Sequence, residues 1–231
     1  MEVAVVIPAL NESASVPKVI DSIPRNRVCE IIVVDNGSTD DTAGAARRAG
    51  ARVVIEPRRG YGSACLAGIA ALACRPPDIV VFLDADFSDH PGELPLLLAP
   101  IEEGRADLVI GSRAMGRRER GSLMPQARFG NWLATRLIRL FSGVRFTDLG
   151  PFRAIRYESL KALRMRDADF GWTVEMQMKA ALTELRIAEV PVSYRKRIGT
   201  SKITGTVSGS LLAGAKILWT IGRLSIEGME R

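Results

Sequence analysis

The chain has 231 residues, of which 47% are hydrophobic and 25% are charged, and this balance excludes a disordered or fibrous protein. Its 32 lysines and arginines outnumber its 26 aspartates and glutamates, so the formal charge of +6 favours an anionic partner. The three cysteines have no metal-ligand spacing, which excludes a disulfide scaffold and predicts a reducing, cytoplasmic compartment. Neither a signal peptide nor a membrane-spanning run is expected from the sequence.

The first half of the chain alternates short apolar runs with segments of helical pattern. The apolar runs predict five strands, at residues 3–7, 31–34, 52–56, 79–83 and 109–113. We expect Ser13 or Ser15 to cap the helix after the first strand and Ser38 or Thr39 to cap the next one. This order predicts an α/β fold with a mostly parallel central sheet and helices on both of its faces.

Two aspartates, Asp84 and Asp86, directly follow the apolar run 79–83. Ligands bind beyond the carboxyl ends of strands in open α/β sheets, so these side chains should line a site. Carboxylates one residue apart on an extended chain point to the same side and can share Mg²⁺ or Mn²⁺, which bridges them to substrate phosphates. The alternative is an ordinary turn, because Asp and Ser are common turn residues.

Other polar residues follow neighbouring strands. Asp35 ends the second strand, where its carboxylate can accept hydrogen bonds from a base or a ribose. Gly60 and Gly62 precede a helix of small residues, a pattern that permits close approach of a phosphate, and Arg59 adds positive charge. The basic loop 114–122 is interpreted as a lid over the site, with a plain solvent loop as the alternative.

The second half of the chain predicts more helices and two more strands. Helices are expected at 125–141, 157–163 and 172–185, and strands at the end of 146–156 and at 187–194. The apolar segment 207–224 fits an amphipathic helix, which either covers the core or lies on a membrane surface.

Together these residues resemble the inverting family 2 glycosyltransferases of the GT-A fold, and among them the dolichol- or polyprenyl-phosphate mannosyltransferases. The resemblance runs from residue 5 to about residue 202. It implies a GT-A domain over 1–202 and an amphipathic helical extension over 203–231, packed on the domain or facing a membrane. It also implies a set of residues that bind the donor nucleotide, namely Pro8, Leu10, Asn11, Glu12, Asp35, Arg59, Gly60 and Gly62.

The resemblance assigns roles to the remaining motifs as well. The metal motif implies a cation and diphosphate site formed by Asp84, Ala85, Asp86 and Ser88. Arg113 and Arg128 match positions associated with the acceptor phosphate, and Asp148 and Glu175 match positions around the donor sugar. The late basic motif, which would neutralise the departing diphosphate, consists of Arg197, Ser201 and Lys202.

The implied activity is transfer of a hexose from a GDP-mannose or UDP-glucose type donor to a phosphate acceptor, with polyprenyl phosphate favoured. A phosphate monoester, whose second pKa is about 6, is already ionised and needs no general base. The first alternative is a soluble hydroxyl acceptor with Asp148 or Glu175 as base, and the second is a nucleotide-sugar-binding module without catalysis. Expected partners include a membrane surface, on its inner face, or a membrane protein, but no nucleic acid.

Overall fold

A seven-stranded sheet forms the centre of the computed structural model, which describes residues 1–199 and 207–229. The strand order is β3-β2-β1-β4-β6-β5-β7, and β6 runs antiparallel to both of its neighbours while the other pairs are parallel. The mostly parallel sheet expected from the sequence is confirmed. The strands are β1 (Val3–Ala9), β2 (Glu30–Asp35), β3 (Arg52–Ile55), β4 (Ile79–Phe82), β5 (Leu108–Ser112), β6 (Arg153–Arg156) and β7 (Ile187–Pro191).

Helices cover both faces of this sheet because alternate strand residues point to opposite sides. In β1, Val5 and Ile7 pack into a core with α1, α2 and α4, whereas Ala4 and Val6 pack into a second core with α3, α5, α6, α7 and α8. The helices are α1 (Val16–Ser22), α2 (Thr42–Arg48), α3 (Tyr61–Leu72), α4 (Leu94–Glu102), α5 (Pro125–Ser142), α6 (Tyr157–Leu163), α7 (Trp172–Leu182) and α8 (Val207–Met229).

The first strand is longer than its apolar run indicates. It continues through Pro8 and Ala9, which pair with Val34 and Asp35 of β2. Proline is tolerated there because the β4 pairing stops at Val6, so no ladder bond on that side is lost. The loop that enters the site therefore begins at Leu10.

The predicted side-chain caps of the first two helices are wrong. Ser15 does precede α1, but its hydroxyl donates a hydrogen bond to Glu12 Oε2 at 2.7 Å instead of capping the helix. Asp41 precedes α2, and Ser38 Oγ instead accepts a bond from the backbone N–H of Asn11 at 2.9 Å. Ser15 thus holds its own loop, whereas Ser38 joins the loops after β1 and β2, which neighbouring strand ends bring together at one edge.

The loop at 114–122 is tied to the chain that follows β7. Tyr194 N–H donates to the Arg117 carbonyl at 2.9 Å, and Glu119 N–H donates to the Tyr194 carbonyl at 2.8 Å. A Cβ atom on Gly116 would lie 1.9 Å from the Val192 carbonyl oxygen, so only glycine permits this approach. Movement of the loop as a lid stays a prediction.

The last helix, α8, packs against α5 and α7. Its Ile221 and Leu224 are buried in the second core, and Lys216 forms an ion pair with the buried Asp167 at 3.1 Å. Within residues 1–199 and 207–229, no helix is long and apolar enough to cross a membrane. The division into 1–202 and 203–231 stays a prediction.

Candidate active site

A pocket of about 370 Å³ lies at the carboxyl ends of β1, β2 and β4, and we call it the carboxylate pocket. Parallel strands bring the loops after them to one edge, which is why residues far apart in sequence meet there. Nine of the predicted site residues line it, namely Pro8, Leu10, Glu12, Arg59, Gly60, Asp84, Ala85, Asp86 and Arg197. The other lining residues are Ala9, Asn36, Tyr61, Ala64, Asp169 and Phe170.

Arg197 forms ion pairs with two carboxylates in this pocket. Its Nη2 lies 3.2 Å from Asp86 Oδ2 and 3.1 Å from Glu12 Oε1. Its Nε is buried and has no hydrogen-bond partner among the described residues, so one donor remains for a ligand. A guanidinium in this position offsets part of the negative charge of the cluster and offers a cation to an incoming diphosphate.

Ser88 orients Asp86 and does not reach the pocket. Its backbone N–H, at 2.9 Å, and its hydroxyl, at 2.5 Å, both donate to Asp86 Oδ1, and its side chain is fully buried. The tight turn after Asp86 buries the Ser88 hydroxyl, which holds the Asp86 carboxylate in place. Ser88 as a metal ligand stays a prediction, which this burial does not favour.

Asp84 sits between the pocket wall and a second carboxylate. Tyr61 Oη donates a hydrogen bond to Asp84 Oδ1 at 3.1 Å. Burial, reinforced by the negative charge of Asp86, raises the pKa of Asp84 to about 7. Asp84 and Asp86 both line the pocket, and their carboxylates are a suitable pair of hard oxygen donors for Mg²⁺ or Mn²⁺. The described residues contain no group of three acidic, His or Cys ligands, so diphosphate oxygens would have to complete the coordination.

Asp89 ends the same acidic run but is not a member of the donor pair. It is buried, and neither carboxylate oxygen has a hydrogen-bond partner within the described part of the chain. Burial and the charges of Asp84 and Asp86 raise its pKa well above the ordinary value. Asp89 therefore belongs to the buried base of the run, and only Asp84 and Asp86 face the pocket.

Three predicted nucleotide-binding residues lie behind the wall of the carboxylate pocket. Asn11 Oδ1 accepts from the Thr39 N–H at 2.7 Å, and Asp35 Oδ1 accepts from the Ser38 N–H at 3.0 Å. A Cβ atom on Gly62 would lie 2.0 Å from the Asp167 carbonyl oxygen. These contacts join the loops that shape the pocket, and direct contact of these residues with a nucleotide stays a prediction.

Gly60, like Gly62, allows another backbone segment to lie very close to it. Its φ of +141° is permitted only to glycine, and an added Cβ atom would lie 2.1 Å from the Ala168 carbonyl oxygen. The glycines of this turn thus bring residues 167–168 against the start of α3. The two glycines that suggested close approach of a phosphate are explained at least as well by this contact with residues 167–168.

A cleft of about 270 Å³ continues from the carboxylate pocket and passes between α5 and α8, and we call it the α5–α8 cleft. It shares Tyr61, Asp84 and Phe170 with the pocket. Its other walls are mainly small or apolar, and they comprise Arg113, Gln126, Ala127, Gly130, Asn131, Leu149, Pro151, Thr173, Gly214 and Ile217. Asp84 therefore stands where two cavities meet.

Asp148 is fully engaged by Arg113. Arg113 donates from Nε to Oδ2 at 2.8 Å, from Nη2 to Oδ1 at 2.7 Å and from its backbone N–H to Oδ2 at 2.7 Å. Burial lowers the pKa of Arg113, but the charge and hydrogen bonds of Asp148 outweigh it and raise the pKa overall. The geometry thus argues against Asp148 as a free general base, and it leaves Arg113 little uncompensated charge for a phosphate.

Arg128 lies outside the carboxylate pocket, in a cavity of about 330 Å³ beside α5. We call this the α5 arginine cavity, because its walls include Arg118, Arg128, Arg136, Arg139 and Arg145. No ion pair joins any of these five arginines to another residue of the described ranges. Asn131 lines both this cavity and the α5–α8 cleft, so the two are neighbours.

Glu175 does not lie in the carboxylate pocket. Its buried carboxylate accepts bonds from the N–H groups of Arg166, at 3.1 Å, and Asp167, at 2.7 Å, and pairs with Lys179 at 2.8 Å. It borders a separate cleft on the far side of residues 166–167. The interpretation as a base is corrected accordingly, because every acceptor direction of this carboxylate serves the fold. Ser201 and Lys202 lie outside the described residues.

Six lining residues were not predicted as site residues, and four of them carry polar or aromatic side chains, namely Asn36, Tyr61, Asp169 and Phe170. The sequence did carry a signal for two of them, since the tetrapeptide at 84–87, Asp-Ala-Asp-Phe, recurs at 167–170. The carboxylate of Asp169 has no hydrogen bond or ion pair with another described residue. Asn36 joins the loops after β2 and β3, accepting from Gly60 N–H at 2.8 Å and donating to the Arg58 carbonyl at 2.8 Å.

The sequence of this chain is similar to those of known glycosyltransferases. The family model described as glycosyl transferase family 2 matches residues 4–164. An uncharacterized glycosyltransferase of Mycobacterium tuberculosis is 43% identical over 213 residues, which are 91% of this chain and 94% of that protein. The undecaprenyl-phosphate mannosyltransferase of Micrococcus luteus is 31% identical over 224 residues, or 90% of each chain.

A solved structure resembles the whole described fold. It is the glucosyl-3-phosphoglycerate synthase of Mycobacterium tuberculosis in complex with Mn²⁺, UDP-glucose and phosphoglyceric acid. The two chains superimpose with a TM-score of 0.76 and 30% sequence identity over 96% of this chain and 80% of the other.

Proposed function

The chain belongs to glycosyl transferase family 2, and we propose that it moves a hexose, with inversion, from a nucleoside-diphosphate sugar to a phosphate-bearing acceptor. The GT-A fold implied by its sequence is confirmed by the structural likeness. The observation that carries the proposal is the position of Asp84, which borders both the carboxylate pocket and the α5–α8 cleft. A donor in the first cavity and an acceptor in the second would meet at this residue.

Asp84 and Asp86 would hold Mg²⁺ or Mn²⁺, which supplies neutralisation of the leaving diphosphate. When the charge of Asp86 is compensated in this way, Arg197 is released from it and can donate to the diphosphate through Nη2 and the unpartnered Nε. Such positioned donors stabilise the charge that develops as the glycosidic bond to the diphosphate breaks. Glu12 keeps the guanidinium in reach throughout.

The acceptor is proposed to be an ionised phosphate monoester, with polyprenyl phosphate as the favoured form. Its oxygen attacks the anomeric carbon directly, because a phosphate with a second pKa of about 6 needs no base at neutral pH. Arg128 and its neighbours in the α5 arginine cavity would attract this charge. The undecaprenyl-phosphate mannosyltransferase supports this form of acceptor, whereas phosphoglyceric acid carries both a phosphate and a hydroxyl and fits either candidate.

A soluble hydroxyl acceptor remains the second candidate, and one observation favours a particular base for it. Asp169 lies in the carboxylate pocket and its carboxylate pairs with no other described residue, whereas Asp148 and Glu175 are fully engaged elsewhere. In phosphate transfer, Asp169 would instead accept hydrogen bonds from sugar hydroxyls. Asp169→Asn separates the candidates: it should abolish transfer to a hydroxyl but only weaken donor binding and transfer to a phosphate.

A panel of donors and acceptors tests the proposal. The melting temperature should rise with one of UDP-, GDP- or dTDP-sugars, and more so with Mn²⁺ than without it. The stabilising donor is then incubated with a short polyprenyl phosphate, phosphoglyceric acid and the matching neutral prenol. We expect product only from the phosphates. Equal product from the neutral prenol would overturn the phosphate-acceptor assignment, and absence of stabilisation by every donor would overturn donor binding.

A further inference from the structure

The outward side of α5 carries a row of large apolar side chains. Phe129, Trp132 and Leu140 are 62%, 51% and 73% exposed, and Arg136 lies among them. Their spacing of three, four and four residues follows the period of an α-helix, so the four side chains form one stripe along it. We call this stripe the α5 strip. The opposite side of the same helix buries Ala134 and Ile138 in the core.

A single exposed apolar side chain is ordinary, but a continuous row on a helix indicates a binding surface. The rings of Phe129 and Trp132 are 5.8 Å apart, and the Arg136 guanidinium lies 5.7 Å from the centre of the Trp132 ring. The aromatic side chains therefore already contact each other and a cation. This arrangement stabilises the row on the surface without burying it.

All charged side chains of α5 are basic. Arg128 and Arg139 lie on this helix and line the α5 arginine cavity, where no described carboxylate pairs with them. On the neighbouring helix α8, Lys216 and Arg223 stand 4.9 and 4.8 Å from the exposed Trp219 ring, but they pair with Asp167 and Glu227, so the unpaired charge belongs to α5. Exposed aromatic residues beside unpaired basic residues are the composition of a surface that enters the headgroup region of an anionic bilayer.

We propose that the α5 strip docks the protein on an anionic membrane surface, with its apolar side chains between the headgroups and its arginines on lipid phosphates. A second copy of this chain fits less well, since it would bring the unpaired arginines of both copies together. The choice of a bilayer also rests on the proposed function, because the α5–α8 cleft lies beside the strip and leads to Asp84. A polyprenyl phosphate would then enter the cleft from the bilayer.

Sedimentation with lipid vesicles tests the docking. The full chain is mixed with vesicles of phosphatidylcholine alone or of phosphatidylcholine with one third phosphatidylglycerol, at low and high salt. The wild type should bind only the anionic vesicles and should lose binding as salt increases. Phe129→Gln with Leu140→Gln should weaken binding by at least about tenfold. Arg136→Gln should weaken it about fivefold. The matched control is Leu96→Gln on α4, which removes a side chain of similar exposure, 49%, from the other face of the sheet and should change nothing.

The outcomes separate docking from catalysis. Transfer to a water-soluble, short-chain polyprenyl phosphate should be unchanged in the Phe129→Gln, Leu140→Gln variant. Wild-type protein that ignores both vesicles, or equal loss in the strip variant and the Leu96→Gln control, would overturn the docking proposal while leaving the proposed function intact. A wild-type dimer that the strip variant dissociates, without vesicle binding, would identify the strip as an interface between copies instead. Vesicle binding without transfer to any phosphate would overturn the proposed function alone.

Discussion

The carboxylate pocket and the α5 arginine cavity handle charge in opposite ways. In the pocket, Arg197 lies within 3.2 Å of carboxylate oxygens of both Asp86 and Glu12, so opposite charges are paired. In the cavity, five arginines line one space and form no ion pair with the described residues. Like charges held together are unfavourable unless a counter-charge arrives. The difference indicates that a metal ion would replace Arg197 beside Asp86 in the pocket. The cavity has no such internal partner and would receive its anion from a bound ligand.

Removing Asp86 tests the paired region, and we expect the largest effect there. Asp86→Ala deletes a proposed metal ligand and leaves Arg197 with Glu12 alone, so kcat/KM should fall at least about a thousandfold. The circular dichroism spectrum should stay that of the wild type, because the side chain lies at a strand end and not in the apolar core. Asp21→Ala, at an exposed position on α1, is the control. Undiminished transfer by Asp86→Ala, or by wild type in excess chelator, would contradict the metal role.

Glu175→Gln asks whether a carboxylate outside both cavities contributes to the reaction. The change removes the ion pair with Lys179 and turns an acceptor of backbone N–H groups into a partial donor. The free energy of unfolding should fall by about 2–4 kcal/mol, measured by urea denaturation. The kcat of the folded protein should change by less than about fivefold. A thousandfold loss of kcat at unchanged stability would restore Glu175 as a catalytic base.

Arg128→Ala tests the unpaired region through the acceptor. Because Arg128 lines the α5 arginine cavity and not the carboxylate pocket, its loss should raise the acceptor KM about tenfold. Donor affinity, measured by calorimetry with Mn²⁺ present, should stay the same. Arg105→Ala removes an exposed arginine that pairs with Glu103 and should alter neither constant. Equal weakening of donor and acceptor binding by Arg128→Ala would merge the two regions into one site.

The sequence predicted the paired region better than the unpaired one, for a physical reason. Residues at strand ends, such as Asp84 and Asp86, are brought together by sheet order, which apolar runs reveal. The engagement of Asp148 depends on Arg113, 35 residues away, and that of Glu175 on how the backbone turns at residues 166–167, and no pattern in the chain encodes either geometry. Asp169 was detectable, since it repeats the tetrapeptide of the metal motif.

The antiparallel strand and the joined loops show the same limit. β6 lies between β4 and β5, and nothing in the run 153–156 states its direction. Likewise the hydroxyl of Ser15 bonds to Glu12 in its own loop and that of Ser38 to Asn11 in the neighbouring loop, because helix caps and loop contacts compete for the same hydroxyl. Local chemistry thus indicates which atoms seek partners, and the tertiary fold decides which partners they find.

The smallest expected effect comes from the pH dependence of Asp84 in the metal-free protein. Its pKa of about 7 in the folded state lies above the ordinary value of 3.8, so the folded protein holds a proton that the unfolded chain has lost. The stability of the wild type should therefore decline as pH rises from about 4 to about 7. Asp84→Asn is neutral throughout and lacks this loss, so it should melt about 5 °C above wild type near pH 8 and about equally near pH 4. Added Mn²⁺ should reverse the order near pH 8, because the cation stabilises only the protein that keeps both carboxylates. Parallel melting curves for the two proteins at every pH would show that Asp84 is ionised in the metal-free pocket, and the charges there would then be less evenly balanced than the pairing of Arg197 indicates.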